Sequence, residues 1–133
     1  MPARAEVPSL ALRLAASPAA NHLYLRVTNL GNVGASATRL RLLRVDLAAT
    51  PIAATPIANA VADIATGPPQ VQEFTWNPGG APGRTELVLA VADQDLPGRR
   101  VDLPASFASP AQVAAFAERR PSVVLRGFEV VAP

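Results

Sequence analysis

The chain has 133 residues, half of them hydrophobic, with twelve basic side chains (all arginine), ten acidic ones and a net charge of +2. That length fits one domain able to bury roughly two-thirds of its unfolded surface, and the absence of cysteine excludes disulfides and thiolate chemistry. A single histidine excludes a histidine metal cluster, no apolar run reaches the ~18 residues of a membrane span, and so small a net charge gives no footing for a nucleic-acid partner.

Residues 1–8 read as a flexible lead-in and 9–133 as one domain. The opening stretch has no apolar segment of signal-peptide length. The chain as it stands is therefore expected in the cytoplasm, or outside the cell if it is excised from a larger secreted protein. Ser9–Leu14 can form a short first strand with Leu10, Leu12 and Leu14 on one side, and Ala15–Ala20, which contains Pro18, is a turn.

Asn21–Leu47 organises the rest. Leu23, Leu25 and Val27 alternate with His22, Tyr24, Arg26 and Thr28, the period of a strand with one dry and one wet face. Asn29-Leu30-Gly31-Asn32-Val33-Gly34 supplies residues that tolerate positive φ and end that strand in a hairpin turn. A second strand begins near Ala37, with Leu40 and Leu42 inward and Arg39 and Arg41 outward. After Leu42 the parity flips to Leu43, Val45 and Leu47, which predicts a β-bulge at Leu42–Leu43 or a strand switching sheets.

The pentapeptide ATPIA then occurs twice in tandem, at Ala49–Ala53 and Ala54–Ala58. Pro51 and Pro56 forbid a central strand and a regular helix across them. Ala48–Pro69 is therefore expected to be an edge segment crossing between sheets, anchored by Ile52, Ile57, Val61 and Ile64, with room for a helical turn around Ala58–Ile64. Val71–Trp76 is a strand with Phe74 and Trp76 on one face, and Asn77–Gly83 is a turn-rich hairpin connection. Arg84–Asp93 is a strand with Leu87, Leu89 and Val91 inward, and Asp93–Asp102 is a polar turn.

Ser109 opens a helix as N-cap, with Pro110 in the first turn and Gln112 completing a capping box. Val113, Phe116 and Ala117 form its apolar face, Arg119 and Arg120 sit at its C-terminus, and Pro121 stops it. Ser122–Val131 closes the chain as a strand whose two apolar faces imply cover from the helix or the tail. The sum is an all-β protein: an immunoglobulin-like antiparallel β-sandwich of about seven strands with one short helix before the last strand.

Chemistry-bearing residues are sparse. His22 has no G-x-S-x-G elbow to serve and reads as a wet-face strand residue. Asp93, Asp95 and Asp102 bracket a turn and are weak Ca²⁺ candidates, without the glycine and closing glutamate of an EF-hand and with Arg99 and Arg100 between them. Arg26, Arg39, Arg41 and Arg44 would make a basic stripe, except that immunoglobulin strand order brings Glu73 near Arg26 and Glu86 near Arg39 or Arg41. Tyr24 and Trp76 are the only residues suited to a sugar-stacking platform, and Trp76 shares its parity with Phe74. No cofactor is expected.

Tyr24-Leu25-Arg26-Val27-Thr28-Asn29-Leu30-Gly31-Asn32, followed by Ala37-Thr38-Arg39-Leu40-Arg41-Leu42, resembles the "V-x-V-x-N-x-G … V-x-V" opening of bacterial immunoglobulin-like domains of the CARDB (cell-adhesion-related) type. Phe74-Thr75-Trp76-Asn77-Pro78-Gly79, followed by Leu87-Val88-Leu89-Ala90-Val91-Ala92-Asp93, is similar to that family's second half. The resemblance covers roughly residues 21–95. It implies a non-catalytic module of a larger surface or secreted protein.

Together these readings predict a structural, adhesive or spacer module that works by protein–protein contact, with a protein partner or with its own larger chain. The surfaces to inspect are Ile52 and Ile57, the loop at Asn77, and Arg26, Arg39 and Arg41. The alternatives are a carbohydrate- or ligand-binding module, and a small decoration or shell protein that self-associates. No nucleophile–base pair points to an enzyme.

Overall fold

The computed structural model describes residues 10–16, 22–76 and 85–129. They form strands β1 (Leu10–Ala16), β2 (His22–Asn29), β3 (Ala35–Val45), β4 (Ala54–Ile64), β5 (Gln70–Thr75) and β6 (Thr85–Gln94), helix α1 (Pro110–Glu118) and strand β7 (Val123–Glu129). The predicted lead-in and the Asn77–Gly83 connection, with Asn77 itself, lie outside the described residues. All pairing within the sheets is antiparallel, in the orders β1-β2-β5 and β4-β3-β6-β7. This is an immunoglobulin-like sandwich, with the helix where the sequence places it.

Residues 30–34 are not a hairpin turn. They carry the chain from β2 in one sheet to β3 in the other. Asn29 sets this corner from a buried position: its side-chain carbonyl accepts from the Gly31 N–H at 3.0 Å, while its amide donates to the carbonyls of Val33 at 2.9 Å and Ile64 at 3.3 Å. The first contact is an Asx-turn; the last ties the corner to the end of β4.

The sandwich interior takes Leu12 and Leu14 from β1, Leu23, Leu25 and Val27 from β2, and Phe74 from β5. Leu40, Leu42, Val88, Ala90 and Ala92 meet them from β3 and β6. Each fully buried Leu or Val contributes ~1.5–3 kcal/mol relative to exposure. Trp76 is half-buried and packs edge-on against Phe128, with ring centroids 6.2 Å apart.

A second cluster lies on the other face of the four-stranded sheet. Leu43, Val45, Leu89, Val91 and Val123 are capped there by Ile52, Phe107 and Val113, with Phe116 against them. This layer corrects two expectations. The parity change after Leu42 is not a bulge in β3, since β3 keeps unbroken register with β6 from Thr38↔Gln94 to Val45↔Leu87. Its apolar residues change face because the interior ends there and the outer layer begins, so Arg44 takes the inward parity at the rim. The bulge exists, but its extra residue is Ile57 in β4, between Leu42↔Ala58 and Leu43↔Pro56. Likewise Leu87, Leu89 and Val91 face the helix layer, and Val88, Ala90 and Ala92 face the interior.

Within Ala48–Pro69 the room left for a helical turn around Ala58–Ile64 is taken by a strand. Ala58, Ala60 and Ala62 pack inward while Asn59, Val61 and Asp63 are exposed, and this period of two joins the β3 ladder as an eleven-residue edge strand. Pro56 is tolerated because β4 pairs on one side only. A further irregularity sits at Ala35/Thr38, where Ala37 adopts φ 48° and donates its N–H to Asp63 Oδ1 at 2.8 Å.

The helix begins as expected. Ser109 Oγ accepts from the Gln112 N–H at 3.3 Å, and Gln112 Oε1 accepts in return from Ala108, one residue before the cap. Val113 is its buried contact, and Arg120 lies 4.9 Å from the Phe116 ring centroid. Finally, β1 lies beside β7: the Leu12 N–H donates to Pro121 O at 3.0 Å and Arg126 Nη1 to Leu14 O at 3.1 Å.

Candidate functional site

The arginines of β3 are all engaged. Arg39 meets Asp93 through both Nε (2.9 Å) and Nη2 (2.7 Å), and Arg41 Nη2 reaches the same carboxylate at 3.2 Å. The Asp93 side chain is fully buried and also accepts the Val101 N–H at 2.7 Å, while Arg41 donates to Val101 O at 3.2 Å. This clamp fastens the segment after β6 to the outer face of the sheet. The hydrogen bond to Asp93 raises the Arg39 pKa above its usual range, against the opposing effect of burial. Arg44 binds Glu86 at 2.7 Å at the rim, and that hydrogen bond raises its pKa as well.

The pairing differs from the expected one. Glu86 serves Arg44 rather than Arg39 or Arg41, and Glu73 lies 2.7 Å from His22 Nδ1 rather than against Arg26. Nor do the three aspartates converge. Asp93 is held by arginines, Asp95 pairs with Arg100, which lowers its pKa, and Asp102 is exposed. Among the described residues no group of three or more histidines or carboxylates is placed to hold a metal ion.

Two other candidates change character. Ile52 is buried, exchanging hydrogen bonds with Phe107 (N–H to O at 3.3 Å, O from N–H at 2.7 Å), and belongs to the outer core. Ile57 is half-buried at the bulge. What remains open on this side is the second half of β4, where Val61 is 68% exposed.

Arg26 keeps its exposure and acquires neighbours that sequence reasoning overlooked. Its cross-strand partner in β1 is Arg13, and Arg126 approaches from β7. Together with Tyr24 and Val71 they line a cleft of about 780 Å³. Period-two parity in Ser9–Leu14 already put Arg13 outward; the missing step was the register of β1 against β2.

No protein-family model and no curated protein matches the sequence. The fold does have a solved counterpart: an immunoglobulin-like sandwich of the CARDB kind. The solution NMR structure of the CARDB domain of PF1109 from Pyrococcus furiosus superposes with a TM-score of 0.60 at 17% identity, over 96% of this chain and 98% of that one. The fold is therefore CARDB-like, as the motif around Asn29 and Gly31 implies.

Proposed function

We propose that this domain is a non-catalytic module of a larger protein that acts through protein–protein contact, with the open half of β4 receiving an extended strand from a partner. Its likeness to a domain cut from another protein supports the modular reading. The observation that carries the contact site is the edge itself. Exposed edges are usually blunted by charge, proline or a bulge. In β4 the proline and the bulge protect the first half, and Gln70 closes the far end by donating to Asp63 O at 3.1 Å and accepting from the Ala65 N–H at 2.9 Å; between them Ala58–Ala62 carries no charge. An added strand would gain main-chain hydrogen bonds there and place side chains beside Val61.

A photo-crosslinking residue at position 61, introduced into the protein in its producing cells, tests this. The expected product is a discrete crosslink to a protein or to another domain of the same chain, lost when Asn59→Lys is added. Position 118 on the helix is the control. Crosslinking from 61 no greater than from 118 sinks the reading. A product at exactly twice the protein's own mass would instead favour self-association.

A further inference from the structure

We propose that the outer face of the three-stranded sheet binds an acidic polysaccharide through Arg13, Arg26 and Arg126. This goes beyond the contact role of β4, which is in the other sheet.

Charge is the first argument. Arg13 and Arg26 stand directly opposite each other on neighbouring strands, both exposed, and like charges in that position repel. Among the described residues neither has a carboxylate partner, whereas all three arginines of β3 have one. The single carboxylate that the described residues place on this outer face, Glu73 opposite Tyr24, is 2.7 Å from His22. Arg126 joins the pair from β7, fixed by its bond to Leu14 O and by the Phe128 ring, whose centroid is 5.8 Å from its guanidinium carbon. Three arginines thus line one cleft without a carboxylate partner among the described residues, and their planar forks suit the oxygens of carboxylate or sulfate.

Shape supplies the class of ligand. The 780 Å³ cleft and a second one of about 210 Å³, lined by Thr28 and Pro69, share Arg13 and Arg26 as common walls. The combined trough is far larger than a lone anion requires and falls in the size range of a small-molecule site. The arginine pair sits at its middle, with Tyr24 and Val71 to one side. An added peptide strand is disfavoured here, because the β1 edge already gives its Leu12 N–H to Pro121 and its Leu14 carbonyl to Arg126. A single-stranded nucleic acid would call for a row of stacking rings, and Tyr24 is the only one lining the cleft; a duplex would call for more phosphate contacts than three arginines supply. An acidic sugar chain needs what is present: a group of cations, one aromatic face and an open trough.

Tyr24 is the only tyrosine of the protein, so 3-fluorotyrosine labelling places a single ¹⁹F reporter in the cleft. The full chain is titrated with a sulfated oligosaccharide, an oligogalacturonate, a neutral dextran oligomer, oligoglutamate and inorganic sulfate. A saturable shift is expected with the sulfated or the uronic-acid oligomer and not with dextran, with affinity falling as salt rises. R13S/R26S should weaken it at least tenfold and R119S, at the exposed end of the helix, less than twofold. Both arginines of the double variant project to solvent from one face, so its thermal midpoint should be unchanged or slightly raised, which separates lost binding from lost folding. No saturable shift with either acidic sugar overturns the proposal, as does equal weakening by R119S, which would mean net charge alone. Equal affinity for oligoglutamate or inorganic sulfate overturns the assignment to a polysaccharide.

Discussion

The two sheets of this sandwich treat their outer faces in opposite ways. On β3 and β6 of the four-stranded sheet the outward residues from Arg39 to Val45 and from Leu87 to Asp93 are either apolar and packed with Phe107, Val113 and Phe116, or charged and closed into the Asp93 clamp. On the three-stranded sheet no described helix or loop roofs Arg13, Tyr24 and Arg26, and two like charges are left facing each other. Outward arginines are common to both, so an outward arginine in sequence says nothing about role until the opposite strand is known. One face is built for stability; the other has charge to spare.

Breaking the clamp should have the largest effect. Asp93→Ala strands two guanidiniums and the Val101 N–H, and should cost about 2–3 kcal/mol, low in the range for a broken buried pair because Arg39 and Arg41 can turn partly to water. In a domain of this size the thermal midpoint should drop by roughly 10 °C. Arg44→Ala leaves Glu86 buried without its partner and should cost about 1–2 kcal/mol by urea denaturation. On the uncovered face the sign reverses: Arg13→Ser relieves repulsion from Arg26 and should stabilise by a few tenths of a kcal/mol, roughly the size of a cross-strand pair. A loss above ~1 kcal/mol in that variant would show that Arg13 is structural.

The smallest effect belongs to the exposed Asp95–Arg100 pair. Because the folded Asp95 pKa is depressed, its contribution is present above the ordinary carboxylate range and fades as pH falls through the lowered value. Asp95→Asn should therefore lower stability slightly near neutrality and converge on the parent protein as pH falls below the ordinary carboxylate range, so that denaturation midpoints followed against pH lose a small acid-side slope.

Much of this architecture was legible in the sequence. Alternation in His22–Asn29 and in Arg39–Leu42, the Ser109-Pro110-Gln112 signature and the turn residues after Asn29 each act locally, through backbone geometry that a few neighbouring residues determine. What escaped reading depended on a partner far along the chain. Leu43 looked out of phase, and Leu89 was assigned to the interior, because a strand with two buried faces has no single inward parity. Asp93 passed for a turn residue, and its neutralisation by Arg39 and Arg41 became visible only from the register of β3 on β6. Asp63 and the carbonyl of Ile64 support a corner about thirty residues earlier in the chain. The uncovered arginine pair was hidden for the same reason: two short strands had to be slid into register before Arg13 met Arg26.

The placement of β1 beside β7 has a mechanical consequence. Leu12 meets Pro121 and Leu14 meets Arg126, so the first and last strands run in the same direction. The chain therefore enters the domain near one pole, at Leu10, and leaves near the other, at Glu129. Tension applied through a longer polypeptide would pass lengthwise through the sandwich and slide β1 along β7, loading their contacts together instead of unzipping them one after another.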